Sequence, residues 1–206
     1  MDETFVINVG RQLGSGGKLI GLRLAEEFGI ACYDKELLNR AAQESGLCRE
    51  RFEASDEQKG WLKHIMTDLT SLVGCGNPYG NPISEEALFH FQSESIRRIA
   101  EEQSCVFIGR CADYVLREKT RCVNIFISAD EADRIGRLCE LHHVSKEKAL
   151  QMIEQGDARR TKYYNFYSNN RWGEAKTYHL CINSSILGIE GTTDYIKEFI
   201  CKKLDL

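Results

Sequence analysis

The sequence predicts a three-layer α/β fold built on a parallel sheet, and three observations carry that prediction. Short buried runs of β-branched and aromatic residues alternate with amphipathic helical segments along the chain. The first run passes through a glycine-rich turn, Gly14-Ser15-Gly16-Gly17, directly into a helix. Only two prolines, Pro78 and Pro82, interrupt the chain, so helices can run unbroken between strands. Connections of this kind leave successive strands parallel, with helices covering both faces.

Phe5, Val6, Ile7 and Val9 form the first strand, apolar enough to be covered on both sides. Ile20, Leu24 and Phe28 then recur at helical spacing, with Arg23, Glu26 and Glu27 turned outward. Between them the glycines remove side chains that would hold a ligand away from the backbone. Amides there and at the helix N-terminus can converge on an anion, which the helix dipole also favours. Lys18 adds a mobile cation. The turn therefore reads as a phosphate-binding loop, though a degenerate one. The strict pattern G-x-x-x-x-G-K-[ST] requires Gly at Gln12 and a hydroxyl at Leu19. Leu19 thereby removes the side chain that usually orders magnesium. The competing reading is a glycine-rich turn that binds nothing. A dinucleotide fingerprint fits less well, because it needs Gly at Leu19, counting from Gly14.

Gly29 closes the helix, and Ile30 to Tyr33 makes a short second strand with Asp34 at its carboxyl end. Open α/β sheets bind ligands at that end. Asp34 serves equally well as the N-cap of a helix running from Lys35 to Gln43. Residues 49–76 read as a charged helix with Trp61, Leu62, Ile65, Leu69 and Leu72 on one face. The clearest loop follows at 74–82, dense in Gly, Asn and Pro. Ser84 then caps a long helix with Glu85 and Glu86 in its first turn and Leu88, Phe91 and Ile99 on its apolar side.

Cys105 to Ile108 is the third strand, ending in Gly109-Arg110. A guanidinium at a strand end suits bidentate recognition of phosphate or carboxylate, with a surface salt bridge as the competing use. A helix from Ala112 to Arg117 leads to the fourth strand, Cys122 to Ile127. Asp130 opens a helix carrying Arg134, Arg137 and Leu138. A longer helical segment starts near Ser145 and runs into Asp157-Ala158-Arg159-Arg160 and an aromatic run. Basic residues here suit either a phosphate-covering lid or a solvated helix face. Tyr178 to Ile182 is the fifth strand, and Thr192 to Lys203 the final helix.

With 206 residues, 42% of them hydrophobic, the chain can bury one substantial core. A formal charge of -4 argues against a general nucleic-acid or membrane-surface binder. No apolar stretch approaches the ~20 residues needed to span a bilayer. Nine cysteines form no C-x-x-C pair, and several sit inside apolar strands. They read as small core residues of a reduced, cytoplasmic protein rather than as metal ligands or disulfides.

The segments Gly10-Arg11 with Gly14-Ser15-Gly16-Gly17, Tyr33-Asp34, Phe107 to Ala112, Asp157 to Arg160 followed by Tyr163-Tyr164, Trp172-Gly173, and Tyr178 to Ser185 together resemble the cytidylate kinase-like family. These are relatives of bacterial cytidylate kinase among the P-loop nucleoside monophosphate kinases, and the resemblance covers nearly the whole chain. It implies a three-layer α/β/α P-loop kinase fold with a five-stranded parallel sheet. It implies one domain over 1–206, with a core of about 1–35 and 103–206, a helical acceptor-binding insert of about 36–102 and a basic lid of about 157–176. ATP with Mg2+ is the implied donor, and a nucleoside monophosphate, cytidylate first, the implied acceptor. A homo-oligomer is compatible with this reading. By the resemblance, Gly14, Ser15, Gly16, Gly17 and Lys18 hold the donor phosphates, assisted by Arg11, and Asp34 and Arg110 bind the acceptor. Lys18, Arg159 and Arg160 neutralise the transferring group, the two arginines from the lid. Cys111 stands where relatives carry Asp after Gly-Arg, and His179 where the strand is often acidic. A kinase of another small acceptor, or a binding module without turnover, remains the alternative.

Overall fold

In a computed structural model of the chain, the structure describes residues 4–38 and 85–206. The helix expected at 49–76, the loop at 74–82 and the Ser84 cap lie outside the described residues, as does the helix expected from Lys35 beyond residue 38. The chain divides into two compact units, one of residues 1–34 with 100–206 and one of residues 35–99. Among the described residues no helix is long and apolar enough to cross a membrane.

The first unit holds a five-stranded sheet. Its strands are β1 (Val6–Arg11), β2 (Ala31–Tyr33), β3 (Cys105–Ile108), β4 (Cys122–Ser128) and β5 (Leu180–Asn183). They lie in the order β2-β3-β1-β4-β5, and every pairing is parallel. Val6 is level with Cys105 on one side and Cys122 on the other, so three strand starts are in line. Because β1 is central and runs two residues further than its pairing with β3, the turn that follows it stands clear at the carboxyl edge.

The two faces of the sheet differ in chemistry. Ile7, Val9, Val106, Ile108, Val123, Ile125 and Ile127 pack against Ile20 and Leu24 of the helix Gly17–Phe28 and against Ile196 and Ile200 of the helix Ser184–Leu204. Each aliphatic side chain so buried stabilises the fold by roughly 1.5–3 kcal/mol. The residues between them in β1 and β4 face the other way and are partly polar. Asn8 donates to Cys122 Sγ and, at 2.9 Å, to Asn124 Oδ1. Phe126 on this side packs edge-on to Trp172 at 5.2 Å and against Tyr178 at 5.0 Å. A Cβ at Gly10 would sit 3.0 Å from Phe126 and 3.2 Å from Tyr178, so the glycine makes room for this aromatic stack.

Three element boundaries depart from the sequence reading. The fifth strand begins at Leu180 rather than Tyr178, whose ring is buried on Phe126. The final helix starts at Ser184, capped by Asn183, and is interrupted at Gly188 (φ 67, ψ -176). The expected lid residues 157–168 are the second half of one 23-residue helix, Lys146–Ser168, capped by Ser145. No proline interrupts that helix, and its aromatic residues continue the packing, with Tyr164 stacked on Tyr178.

In the second unit, residues 35–38 are helical and a helix begins at Glu85. Ser93 and Ser95 return their hydroxyls to the carbonyls of Phe89 and Phe91, a local bond that lets serine sit buried inside a helix.

Candidate functional site

The loop after β1 is shaped by three glycines with distinct constraints. Gly14 (φ 78) and Gly16 (φ 77) are left-handed, which costs other residues roughly 1–2 kcal/mol. A Cβ on Gly14 would lie 2.8 Å from the Arg134 carbonyl oxygen, and one on Gly16 2.1 Å from Ile189 Cδ1. A Cβ on Gly17 would lie 2.5 Å from Arg11 Cβ. The helix Gly17–Phe28 then starts at a glycine N-cap with no side chain to offer, and its first amide, that of Gly17, donates to Ser15 Oγ at 3.4 Å.

The loop's carbonyls are tied back from outside. Arg134 Nε donates to the Leu13 carbonyl at 2.7 Å, Arg137 Nη1 to that of Gly14 at 2.9 Å, and Ser184 Oγ to that of Ser15 at 2.7 Å. A trans peptide sets each carbonyl opposite the next residue's N–H. Pulling these three carbonyls outward therefore turns the amides of Gly14, Ser15 and Gly16 toward the interior of the turn, where that of Ser15 donates to the Gln12 carbonyl at 3.4 Å. Among the described residues, the N–H groups of Gly14 and Gly16 make no hydrogen bond. The Ser15 hydroxyl is spent within the loop, donating to the Gln12 carbonyl at 2.9 Å. Gln12 Oε1 in turn accepts from the Ala129 amide at 3.3 Å, which gives a structural use to the position where the strict motif carries glycine.

Asp157 organises the brace. Its carboxylate accepts the Leu13 amide at 2.8 Å, pairs with Arg134, and receives Arg160 at 3.3 Å. Arg160 also reaches the Arg11 carbonyl at 3.5 Å. Burial pulls the Arg160 guanidinium below its ordinary pKa, with Asp157 acting in the opposite sense. Its neighbour Arg159, one position earlier, is exposed on the outer side of the helix. Of the two expected lid arginines, one thus faces the loop and the other faces away. Arg134, Arg137, Asp157 and Ser184 are the supports whose roles the sequence reading missed. Asp157 and Ser184 lie within segments that carry the family resemblance, whereas the only signal for Arg134 and Arg137 was a place on the helix after β4.

Cations and one carboxylate gather at the strand ends beside the loop. Lys18 Nζ is 2.7 Å from Asp34 Oδ2, across the end of β2. The Arg11 side chain crosses Gly109, where a Cβ would fall 2.0 Å from Nη1. Gly109, Arg110 and Cys111 are all left-handed, with φ of 77, 59 and 56. Two of the three are not glycine, and such strain marks a backbone held for a purpose. Its effect is to turn Arg110 out of the sheet, where its guanidinium lies 4.0 Å over the Tyr163 ring. Cys111 is buried, and burial pushes its thiol up to about 12. The residue in the expected aspartate position is therefore a neutral thiol turned inward. Burial likewise raises the carboxyl of Asp113, which accepts a hydrogen bond from Tyr164.

The geometry fits an anion with several phosphoryl oxygens. The loop offers it the N–H groups of Gly14 and Gly16, and Arg11 and the Asp34-paired Lys18 lie at the adjacent strand ends. A protein-held metal fits less well. Leu19, in the hydroxyl position, is apolar and 55% exposed, and among the described residues no cluster of three or more His, Cys, Asp or Glu could hold an ion. Magnesium suits this site only as part of the nucleotide, on the phosphates and water.

A profile of the cytidylate kinase-like family matches residues 6–186. Among solved structures, an uncharacterized protein from Eubacterium ventriosum ATCC 27560 is 27% identical with a TM-score of 0.72, covering 96% of this chain and 98% of that one. Shikimate kinase from Bacteroides thetaiotaomicron is 14% identical with a TM-score of 0.52, covering 95% of this chain and 98% of that one. Shikimate kinase from Acinetobacter baumannii, solved with shikimate, is 13% identical with a TM-score of 0.50, covering 97% and 95%. At such identities the two kinases show a shared P-loop kinase fold and nothing finer. No curated protein sequence matches the chain.

Proposed function

The chain belongs to the cytidylate kinase-like family, and from that premise we propose that it transfers the γ-phosphoryl group of MgATP to a nucleoside monophosphate, with cytidylate the first acceptor to test. The observation that carries this reading is the loop at Leu13–Lys18, with the carbonyls of Leu13, Gly14 and Ser15 bound from behind by Arg134, Arg137 and Ser184. Such an arrangement is costly to hold unless an anion uses the inward amides. Phosphoryl transfer needs alignment and neutralised charge more than a general base, so the residues present suffice for it.

In this reading the loop amides, Lys18 and Arg11 hold the donor's β- and γ-phosphates, and magnesium travels with them. Arg110, steadied on Tyr163, grips the acceptor phosphate, and Asp34 contacts the acceptor nucleotide. An acceptor phosphate oxygen attacks the γ-phosphorus in line, ADP leaves, and a nucleoside diphosphate forms. Arg160 neutralises the equatorial oxygens after leaving Asp157, and Arg159 acts from the same helix turn. The insert of about 36–102 shapes acceptor choice, the segment of about 157–176 serves as the lid, and the work is done in the cytoplasm.

A second reading is favoured by two ion pairs. Lys18 is engaged by Asp34 and Arg160 by Asp157, as suits a nucleotide-binding module without turnover. Titration calorimetry with MgATP, followed by a transfer assay on the same sample, separates the readings. Binding with transfer supports the kinase. Binding with no transfer to any monophosphate or small hydroxylated acceptor supports the module, and no binding refutes both.

A further inference from the structure

A cavity of about 420 Å3 opens at the opposite edge of the sheet from the glycine loop. Its walls include Cys122 and Asn124 at the start of β4, Lys119 just before that strand, and His179 just before β5. β4 has seven residues, so at about 3.3 Å each the loop edge lies roughly 20 Å away. The volume falls in the range of small-molecule sites, roughly 300–1,000 Å3. We infer that this cavity is a second ligand site, for a soluble small molecule bearing a dianionic phosphate group.

Charge is the first support. Lys119 and Lys203 line the cavity with Arg117, which is paired with Glu118 at 3.6 Å, against a single lining carboxyl, that of Asp113, in a chain whose formal charge is -4. Tyr164 already hydrogen-bonds that carboxyl. Among the described residues Lys203 makes no ion pair, and Lys119 uses one of its three N–H donors on Thr4 Oγ1 at 3.0 Å.

Donor geometry is the second support. The Asn124 amide donates to His179 Nδ1 at 2.8 Å, so Nδ1 is the acceptor and the neutral ring carries its proton on Nε2. Partial desolvation of this otherwise exposed ring and the charge of Lys203 lower the imidazole below its ordinary pKa, which favours the neutral form. Two ammonium groups and an imidazole N–H around one recess suit the oxygens of a phosphate dianion. A monocarboxylate would engage fewer of them.

His179 itself is the reporter, because the glycine loop also attracts phosphate but is remote from this ring. The full-length chain is titrated with inorganic phosphate and with pyrophosphate while the imidazole resonances are followed by NMR, with His179→Gln to assign the signal. The expected result is a saturable shift of His179 with a raised imidazole pKa, since a bound dianion favours the protonated ring. Lys203→Ala weakens it about tenfold, the loss of a charge-assisted hydrogen bond, and Lys203→Arg restores it. The inference is overturned if the His179 signal stays still into the millimolar range. It is equally overturned if sodium chloride or acetate at matched ionic strength gives the same shift, or if Lys203→Ala leaves it unchanged. A shift seen only with RNA or anionic vesicles also overturns it.

Discussion

Lys18 Nζ sits 2.7 Å from Asp34 Oδ2, so a cation in the first turn of the helix after the glycine loop and a carboxylate at the end of β2, two strands from β1 in the sheet, are neutralised by one another. The donor reading assigns the first to ATP and the second to the acceptor. The pair is uneven in exposure, with the Lys18 side chain 59% accessible and that of Asp34 15%. An ion pair with so exposed a partner contributes less than about 1 kcal/mol. Asp34→Asn releases Lys18 and is expected to tighten MgATP binding by up to about fivefold. Acceptor kcat/KM falls in the same variant. Weaker ATP binding would show that Asp34 positions Lys18 for the nucleotide instead of competing for it.

Asp157 is the support whose loss is felt most widely. Its partner Arg134 has only 9% of its side chain accessible, so removing the carboxylate strands a buried charge and the Leu13 amide together. Breaking a buried pair of this kind typically costs about 3–5 kcal/mol. Asp157→Ala is expected to lower the denaturant midpoint accordingly and to weaken MgATP binding. A midpoint equal to wild type would mean that the brace carries no stability.

The two lid arginines are separable. Arg160 faces the loop and Asp157, whereas Arg159 is exposed one residue away, about 100° round the helix. Arg160→Ala is expected to lower kcat by at least about tenfold with little change in the MgATP dissociation constant, as loss of a charge felt mainly in the transition state does. Arg159→Ala is expected to have a smaller effect. The reverse order would place Arg159, swung inward, as the transferring group's partner.

Much of this arrangement was legible in the sequence because it depends on neighbours along the chain. The strand–turn–helix from Phe5 to Phe28 follows from periodicity and glycine, and Asp34 and Arg110 are placed by the strands they terminate. The braces were not legible. Arg137 meets Gly14 across 123 residues and Ser184 meets Ser15 across 169, and no local pattern distinguishes such residues from solvated helix surface. Boundaries failed where side-chain packing overrode pattern. Tyr178 and His179 look like strand, but the Tyr178 ring is drawn onto Phe126, and the ladder of β5 starts at Leu180. Around Arg159 and Arg160 the sequence left a lid and a solvated helix face equally open, because it does not reveal that Tyr164 anchors that turn as helix through Asp113 and Tyr178.

Buried thiols set an alkaline limit. Burial pushes Cys32 and Cys122 up to about 11 and Cys105 and Cys111 up to about 12, from an ordinary value of 9.0. The unfolded chain therefore loses these protons first as pH rises. The stability contributed by the raised values is complete below about pH 9 and declines between about 9 and 12. Denaturant midpoints are expected to be level from about pH 7 to 8.5 and to fall steadily above that. A midpoint unchanged at about pH 10.5 would mean that these thiols ionise freely in the folded state.

The most direct test of the central claim is phosphoryl transfer from MgATP, read as ADP and nucleoside diphosphate formed, across CMP, dCMP, UMP, AMP and GMP. Wild type and Arg110→Ala are run in parallel. The account predicts transfer to at least one monophosphate, CMP foremost, and a loss of at least about tenfold in kcat/KM when the Arg110 guanidinium is removed. Transfer that is indifferent to Arg110 would contradict the acceptor site. Silence across all five acceptors would contradict the nucleoside monophosphate kinase reading itself.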